Sequence, residues 1–263
     1  MSQPNLSEVL DLMHEIAPLE LAAEWDNVGL LLRADPDRAR VGKCLLTIDL
    51  TDAVIAEAEQ FSADLVISYH PPIFRPLARL DAADPAHGRV VRALLAGFAV
   101  YSPHTALDAA PAGLADWLIE GAVGDAVPEA VHVVGDGYGR LAELSKPTSW
   151  SALLDRLKAQ YGVSHLQVAR PPRAPSKVRS IAVAAGAGSG ALRGVEADVF
   201  ITGEMSHHDA LAAVAARTSV VLAGHTNTER GFLRLLAKRL TAEFGAALKV
   251  RVAKSDRDPL TVI

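Results

Sequence analysis

The chain has 263 residues, of which 50% are hydrophobic and 22% charged, and its net charge is -5. This composition is typical of a globular protein of one or two domains, and it excludes a disordered or fibrous chain. The 31 acidic residues outnumber the 26 basic ones, so binding of nucleic acid through bulk charge is not expected.

The cysteine content and the N-terminal sequence bear on the compartment. The single cysteine, Cys44, excludes a disulfide within the chain, which fits a reducing environment. The first residues lack the basic start and the long apolar core of a signal peptide. No apolar run reaches the length of about 18 residues that a membrane span needs. We therefore expect a cytoplasmic protein with no membrane partner and no nucleic-acid partner.

The first part of the sequence alternates helices with apolar strands. The opening helix is predicted from an N-cap at Ser7 to Ile16, because apolar residues recur there at helical spacing. Strands that alternate with helices indicate α/β layers with a largely parallel sheet. The segments that follow are predicted as a strand over 28–32, a strand over 44–49, a helix over 52–61, a strand over 64–68, a helix over 86–96 and a strand over 98–102.

The middle of the chain is rich in glycine and proline. Turns and a hairpin are predicted over 121–147, followed by a helix over 149–160 and a short strand near Leu166. The segment 170–177 carries three prolines and is the best candidate for a linker.

The α/β pattern restarts after this linker as a weak internal duplication. Segments 180–186, 196–204 and 219–229 parallel segments 44–49, 62–70 and 98–108. The fold class predicted is α/β, with two related α/β lobes whose mainly parallel sheets face a shared metal-binding cleft. We expect a single compact unit overall that consists of an N-terminal lobe over 1–125, a connecting segment over 126–177 and a C-terminal lobe over 178–263.

The ends of the duplicated segments carry the residues that suggest chemistry. His104 precedes Asp108 by four residues, and His225 precedes Glu229 by the same spacing, each pair just after an apolar strand. His70 ends a third strand. Imidazole and carboxylate ligands suit zinc, iron, manganese, nickel or cobalt, and carboxylates can bridge two cations. A single such pair is usually a solvated helix face, but two pairs at equivalent points of a repeat favour metal ligands.

Several longer motifs resemble the NIF-three-like family, whose bacterial members are often labelled GTP cyclohydrolase type-two homologues. The resemblance implies two α/β lobes with a dinuclear metal site between them. It also implies a toroidal homohexamer whose sites face the interior. The motifs that carry it, from near the start of the chain to residue 233, are EWDNVGLLL, LVISYHPPIFRPL, VYSPHTALDAAPAGLADWL, ITGEMSHHDAL and AGHTNTERGFL.

The resemblance assigns metal-ligand positions to the residues already singled out. They are His70, His104, Asp108, His225 and Glu229. The chain departs from the common bacterial pattern of two adjacent histidines, because Tyr69 occupies the first position. A neutral phenol with a pKa near 10 is a poor ligand for a divalent metal. Of the two divalent ions expected, the second is therefore expected to be weakly bound or lost.

Other residues near these motifs have two interpretations each. One of His207, His208 or Glu204 is a general acid or base near the metals. Alternatively, one of the two histidines caps or packs and the other faces solvent. Segment 25–27 forms a turn before a strand, or it lines the site. The glycine-rich segment 184–192 resembles a phosphate-binding loop, but a tight turn explains it equally well.

Two classes of function remain open at this stage. The first is a metal-dependent hydrolase that acts on a small polar or nucleotide-like substrate. The second is a non-catalytic metal-binding protein, either a regulatory or interaction protein or a metal-storage assembly. Neither the metal nor the substrate is identified by the sequence.

Overall fold

The computed structural model describes residues 2–37, 39–126 and 128–261, and no helix within these ranges is long and apolar enough to cross a membrane. The helices are α1 (Leu6–Ile16), α2 (Asp52–Phe61), α3 (Pro85–Ala96), α4 (His104–Ala109), α5 (Leu114–Val123), α6 (Trp150–Tyr161), α7 (His207–Ala215), α8 (Asn227–Arg230) and α9 (Leu233–Phe244). The strands are β1 (Gly29–Leu32), β2 (Lys43–Thr47), β3 (Leu65–Ser68), β4 (Ala99–Ser102), β5 (Pro128–Val134), β6 (Gly139–Ser149), β7 (Gln167–Ala169), β8 (Lys177–Ala184), β9 (Val199–Thr202), β10 (Ser219–Leu222) and β11 (Lys249–Val252).

The elements predicted up to residue 102 are confirmed, with bounds that shift by no more than two residues. The predicted N-cap of the first helix was wrong, because Asn5 rather than Ser7 occupies that position. The amide of Asn5 donates to the carboxylate of Glu8, which stands three residues later. This reciprocal arrangement is a capping box, and it places the N-cap two residues before Ser7.

Helix α5 and strand β11 are among the elements that were not predicted. Helix α5 follows Gly113 and buries one face, on which Leu114, Leu118 and Ala122 lie one turn apart. Asp116 and Glu120 lie outside this face, so the sequence carries the period of an amphipathic helix that the prediction overlooked. Strand β11 is short and alternates half-buried with exposed residues, and it is formed by parallel pairing with β2, far away in the sequence.

The structure divides into two packing units. The first contains Met1–Leu107 and Phe232–Pro259, and the second contains Asp108–Gly231 and the residues from Leu260. These bounds differ from the predicted division at residues 125 and 177. The main reason is that β11 pairs with β2, which brings the segment from Phe232 onward into the first unit.

The first unit contains a five-stranded sheet among its described residues, in the order β1-β4-β3-β2-β11. The pairs β4–β3, β3–β2 and β2–β11 are parallel, and only the edge strand β1 runs antiparallel to its neighbour. Its core packs α2 and α3 against the sheet, with Val54 and Val90 meeting Leu45, Val66 and Val100.

The second unit contains a six-stranded sheet among its described residues, in the order β5-β6-β8-β9-β10-β7. Only β8–β9 and β9–β10 are parallel. The hairpin β5–β6 is antiparallel because a short connection can join only antiparallel strands. The predicted α/β fold class is therefore confirmed with two mixed sheets, of which the first is mainly parallel.

The two units share a local arrangement of three parallel strands. In the first unit β2, β3 and β4 are neighbours in that order, and in the second β8, β9 and β10 are. Asp64 accepts hydrogen bonds from two successive amides at the start of β2. Asp198 does the same near the start of β8. The predicted duplication thus extends to the same aspartate at the same place in each unit.

Glu57 on α2 anchors the segment that follows β11. Its carboxylate accepts hydrogen bonds from the amides of Lys254 and Ser255 and from the Ser255 hydroxyl, at 2.7–3.1 Å. Burial raises the pKa of Glu57, but these hydrogen bonds outweigh that effect and hold the pKa below its ordinary value. The ionised carboxylate therefore stabilises the folded chain.

We expect Glu57→Gln to lower the free energy of unfolding by about 1–2 kcal/mol at neutral pH, because charge-assisted hydrogen bonds are lost. A carboxyl with a lowered folded pKa contributes fully above its unfolded pKa of about 4.3 and loses the contribution as pH falls through the folded pKa. Urea unfolding at several pH values should show that the difference in free energy of unfolding between wild type and Glu57→Gln shrinks as the pH falls below about 4.3. Glu59→Gln, which breaks only an exposed ion pair to Arg92, is the control and should change little. A difference that does not depend on pH would contradict the assignment.

Candidate metal centre

Two histidines of the first unit follow the carboxyl ends of neighbouring parallel strands. His70 lies two residues after β3, and His104 lies two residues after β4. Their ring centroids are 5.3 Å apart, with the planes nearly perpendicular. The Nδ1 atom of His70 is 2.9 Å from a carboxylate oxygen of Asp49, and Nδ1 of His104 is 2.8 Å from one of Asp26.

Asp26 is buried and fixes both His104 and the residue after it. Besides the imidazole, its carboxylate accepts hydrogen bonds from the amide and the hydroxyl of Thr105, at 3.1 and 2.6 Å. Burial raises the pKa of Asp26, but the hydrogen bonds from His104 and Thr105 more than compensate and keep the pKa below its ordinary value. Asp26 is therefore an ionised acceptor for the Nδ1–H of His104.

His104 also has an unusual backbone. Its φ of +29° lies in the left-handed region, which a non-glycine residue rarely adopts. Such a conformation costs about 1–3 kcal/mol and persists where surrounding contacts impose it, commonly at functional sites. The contacts from Asp26 to His104 and Thr105 are of this kind.

Tyr69 is buried and lies against both histidines. Its ring centroid is 5.0 Å from that of His70 and 5.4 Å from that of His104. Tyr69 thus packs beside the two imidazoles.

Asp108 follows His104 by four residues in the short helix α4, and it is half-buried. A spacing of four residues places two side chains on one face of a helix.

The second unit brings three predicted site residues together. Nδ1 of His225 is 2.7 Å from a carboxylate oxygen of Glu204, and Nε2 of His225 is 3.4 Å from Oε1 of Glu229. Glu229 is only 2% exposed, whereas Glu204 is largely exposed. Glu204 therefore contacts the imidazole of His225 from its outer side.

Gly186, at the end of β8, leaves space at this histidine–glutamate pair. A Cβ atom at this position would lie 2.5 Å from Oε1 of Glu229 and 2.8 Å from Nε2 of His225. Its φ of +52° also favours glycine. The glycine-rich segment that sequence analysis compared with a phosphate loop thus keeps the donor atoms of His225 and Glu229 uncovered within this unit.

The three histidines share one pattern. In each, Nδ1 lies within hydrogen-bond distance of a carboxylate oxygen, from Asp49, Asp26 or Glu204, so Nε2 is the nitrogen that could bind a metal. Metal-binding histidines are usually held in this way, with the other ring nitrogen available to the metal. Within the second unit, the imidazole of His225 and the carboxylate of Glu229 form a pair of ligands of the kind that metals bind.

The carboxylates behind the histidines are the residues that sequence reasoning missed or assigned differently. Asp49 was assigned only to a strand, Asp26 to a turn or a site-lining segment, and Glu204 to acid–base chemistry. The one available signal was that Asp26 belongs to the EWDN motif. His207 and His208 begin α7, are exposed, and make an edge-to-face contact with ring centroids 5.5 Å apart. Their acid–base role stays a prediction.

We expect Asp26→Asn to weaken metal binding by about 10–100-fold, as is typical when the hydrogen-bond partner of a ligand is removed. The amide of asparagine cannot accept from His104 and Thr105 as a carboxylate does. Competition with a chelator of known affinity measures the change. Asp84→Asn is the control, because Asp84 caps α3 and asparagine caps a helix equally well. Equal metal affinity in the two variants would contradict the role given to Asp26.

These features define a mixed α/β protein with carboxylate-supported histidines that could hold a metal. The chain belongs to the family described as Duf34/NIF3 (NGG1p interacting factor 3), whose sequence profile matches residues 4–259. It is 39% identical to the protein NIF3 homolog of Schizosaccharomyces pombe, with 100% of both chains covered. It is 31% identical to the human NIF3-like protein 1, covering 98% of this chain and 93% of the human one.

Solved structures share the fold. A Bacillus cereus protein related to NIF3 matches with a TM-score of 0.85 at 19% identity, over 100% of both chains. Reduced HcgD from Methanocaldococcus jannaschii matches with a TM-score of 0.83 at 24% identity, over 97% of this chain and 99% of the other. The family resemblance inferred from the motifs is thereby confirmed.

Proposed function

We propose that this protein is a dinuclear metal-binding hydrolase that acts on a small polar or nucleotide-like substrate. The observation that carries the proposal is the repeated histidine–carboxylate hydrogen bond, which prepares Nε2 of His70, His104 and His225 as ligands. Glu229 and Asp108 complete the proposed set.

The donor set fits divalent transition metals. Imidazole nitrogens and carboxylate oxygens suit zinc, iron, manganese, nickel and cobalt. The space that Gly186 leaves beside His225 and Glu229 is where a side chain would block access to both donor atoms. We propose that His225 and Glu229 contribute to the tighter ion, and that Tyr69 leaves the position beside His70 and His104 weak.

The residues of this chain then have distinct tasks. When bound, the cations would lower the pKa of a bound water and stabilise charge that develops on the attacked centre. Asp26, Asp49 and Glu204 hold the imidazoles in one orientation. His207 or His208 is proposed to exchange protons with the leaving group, because imidazole titrates near neutral pH.

The second candidate is a non-catalytic metal-binding protein with a regulatory, interaction or storage role. The substitution of Tyr69 at a ligand position favours it, because a weakened second position would impair two-metal catalysis. The proposed assembly, on family resemblance, is a homohexamer, and the proposed location is the cytoplasm.

Metal content and turnover together test the two candidates. The purified protein is supplied with manganese, zinc or iron, desalted, analysed by mass spectrometry, and assayed on phosphate esters and GTP. Hydrolysis that is abolished in Asp108→Ala supports the hydrolase. Bound metal without turnover of any of these substrates favours the second candidate. No retained metal would overturn the metal site itself.

A further inference from the structure

Two exposed aromatic side chains lie beside His104 in the first unit. Trp25 is 63% exposed and Phe74 is 45% exposed. Their ring centroids are 5.9 Å apart, and each lies within about 6 Å of the His104 ring, at 6.2 and 6.3 Å. Both present an edge-to-face contact with the imidazole, with interplanar angles of 76°.

The chain holds this pair in place through the two residues that follow Trp25. Asp26 binds the imidazole and the following residue, as described above. The side-chain amide of Asn27 donates to the carbonyl of Ile73, the residue before Phe74. Three successive residues thus supply one exposed ring, orient a proposed metal ligand and anchor the segment that carries the second ring.

Single exposed apolar residues are common on proteins and need no explanation. Trp25 and Phe74 differ from such residues because they come from two separate segments and converge on one proposed ligand. Phe74 also opens a long exposed connection between β3 and α3 that has no helix or strand of its own. Long connections of this kind in a compact unit are commonly functional.

We propose that Trp25 and Phe74 form a stacking platform for a planar heteroaromatic ring of the substrate. This inference rests on the proposed function, because it places the ring next to a residue that is proposed to bind metal. An aromatic face binds any flat heterocycle by stacking, and an exposed tryptophan provides the largest such face. The platform therefore restricts the substrate class to small molecules that carry a flat ring.

Two ligands that differ only in the ring test the platform. Adenosine monophosphate and ribose phosphate share a sugar and a phosphate, but only the first has a heterocycle. Calorimetric titration of the metal-supplied protein should show tighter binding of adenosine monophosphate by roughly 5- to 150-fold, the range for stacking one base on an aromatic side chain. Trp25→Ala should bring the two affinities close together, whereas Trp25→Phe should preserve most of the difference. Leu95→Ala, which removes an 84% exposed side chain from α3, is the control and should leave the difference between the two affinities unchanged.

Equal affinities of the wild type for adenosine monophosphate and ribose phosphate would overturn the platform. So would an affinity difference that Trp25→Ala leaves intact. The oligomeric mass of Trp25→Ala is measured as well. A changed mass with an unchanged preference for adenosine monophosphate would also overturn the platform, because the rings would then contact another copy of the chain. Metal content measured on the same samples tests the proposed function separately. Bound metal without a ring preference overturns the platform alone. A ring preference that depends on Trp25 in a protein that retains no metal supports the platform and overturns the proposed function.

Discussion

Glu229→Gln is expected to remove most of the bound metal. The carboxylate is buried beside Nε2 of His225, and an amide of the same size carries no charge and only one acceptor atom. The loss of affinity should exceed the roughly 10–100-fold that follows when only the hydrogen-bond partner of a ligand is removed. Mass spectrometry of desalted protein, supplied with metal during expression and again afterwards, measures the metal content per chain.

The control for this variant is Glu120→Gln, which makes the same chemical change at an exposed position on α5. It should retain the metal content of the wild type. Near two ions in the wild type would agree with the dinuclear proposal, and about one would show that Tyr69 costs a position. Equal metal content in Glu229→Gln and Glu120→Gln would remove Glu229 from the ligand set.

Gly186→Ala is expected to abolish metal binding through a single added methyl group. That group would lie 2.5 Å from Oε1 of Glu229 and 2.8 Å from Nε2 of His225, over the atoms proposed to bind metal. The backbone cannot easily move away. The amide of Gly186 donates to the Thr228 hydroxyl, and its carbonyl accepts from the Glu204 amide and the Thr202 hydroxyl.

The matched control is Gly162→Ala at the end of α6. Gly162 also has a positive φ, of +68°, but an added Cβ there would meet nothing within 4 Å. Gly162→Ala should lower the free energy of unfolding by about 1–2 kcal/mol, because it forces an L-residue into the left-handed region. Gly186→Ala should lower it by more, because its methyl group also overlaps Glu229 and His225. Only Gly186→Ala should lose metal. If both variants keep or both lose their metal, the effect of Gly186 is not local to the His225–Glu229 pair.

The helices and strands show how much secondary structure the sequence periodicity predicts. The alternation of strands and helices up to residue 102 was predicted within two residues, because each of those segments is recognisable from its own side chains. The ligand positions were also predicted from local sequence, because a polar residue that follows an apolar strand marks the end of that strand. Helix α5 was overlooked although its buried residues recur at helical spacing. The N-cap was misplaced by two residues because Asn5 and Glu8 were not recognised as a pair.

The sequence by itself determined the α/β class, the histidine and carboxylate positions and the family resemblance, because each of these is a property of residues close together in the chain. Only the tertiary structure decided which carboxylate supports which histidine. Asp26 and His104 are 78 residues apart, and Asp49 and His70 are 21 apart. The space beside Gly186 and the pairing of β11 with β2 were decided in the same way. Contacts of this kind depend on strand order in the sheet, and no local sequence pattern encodes it.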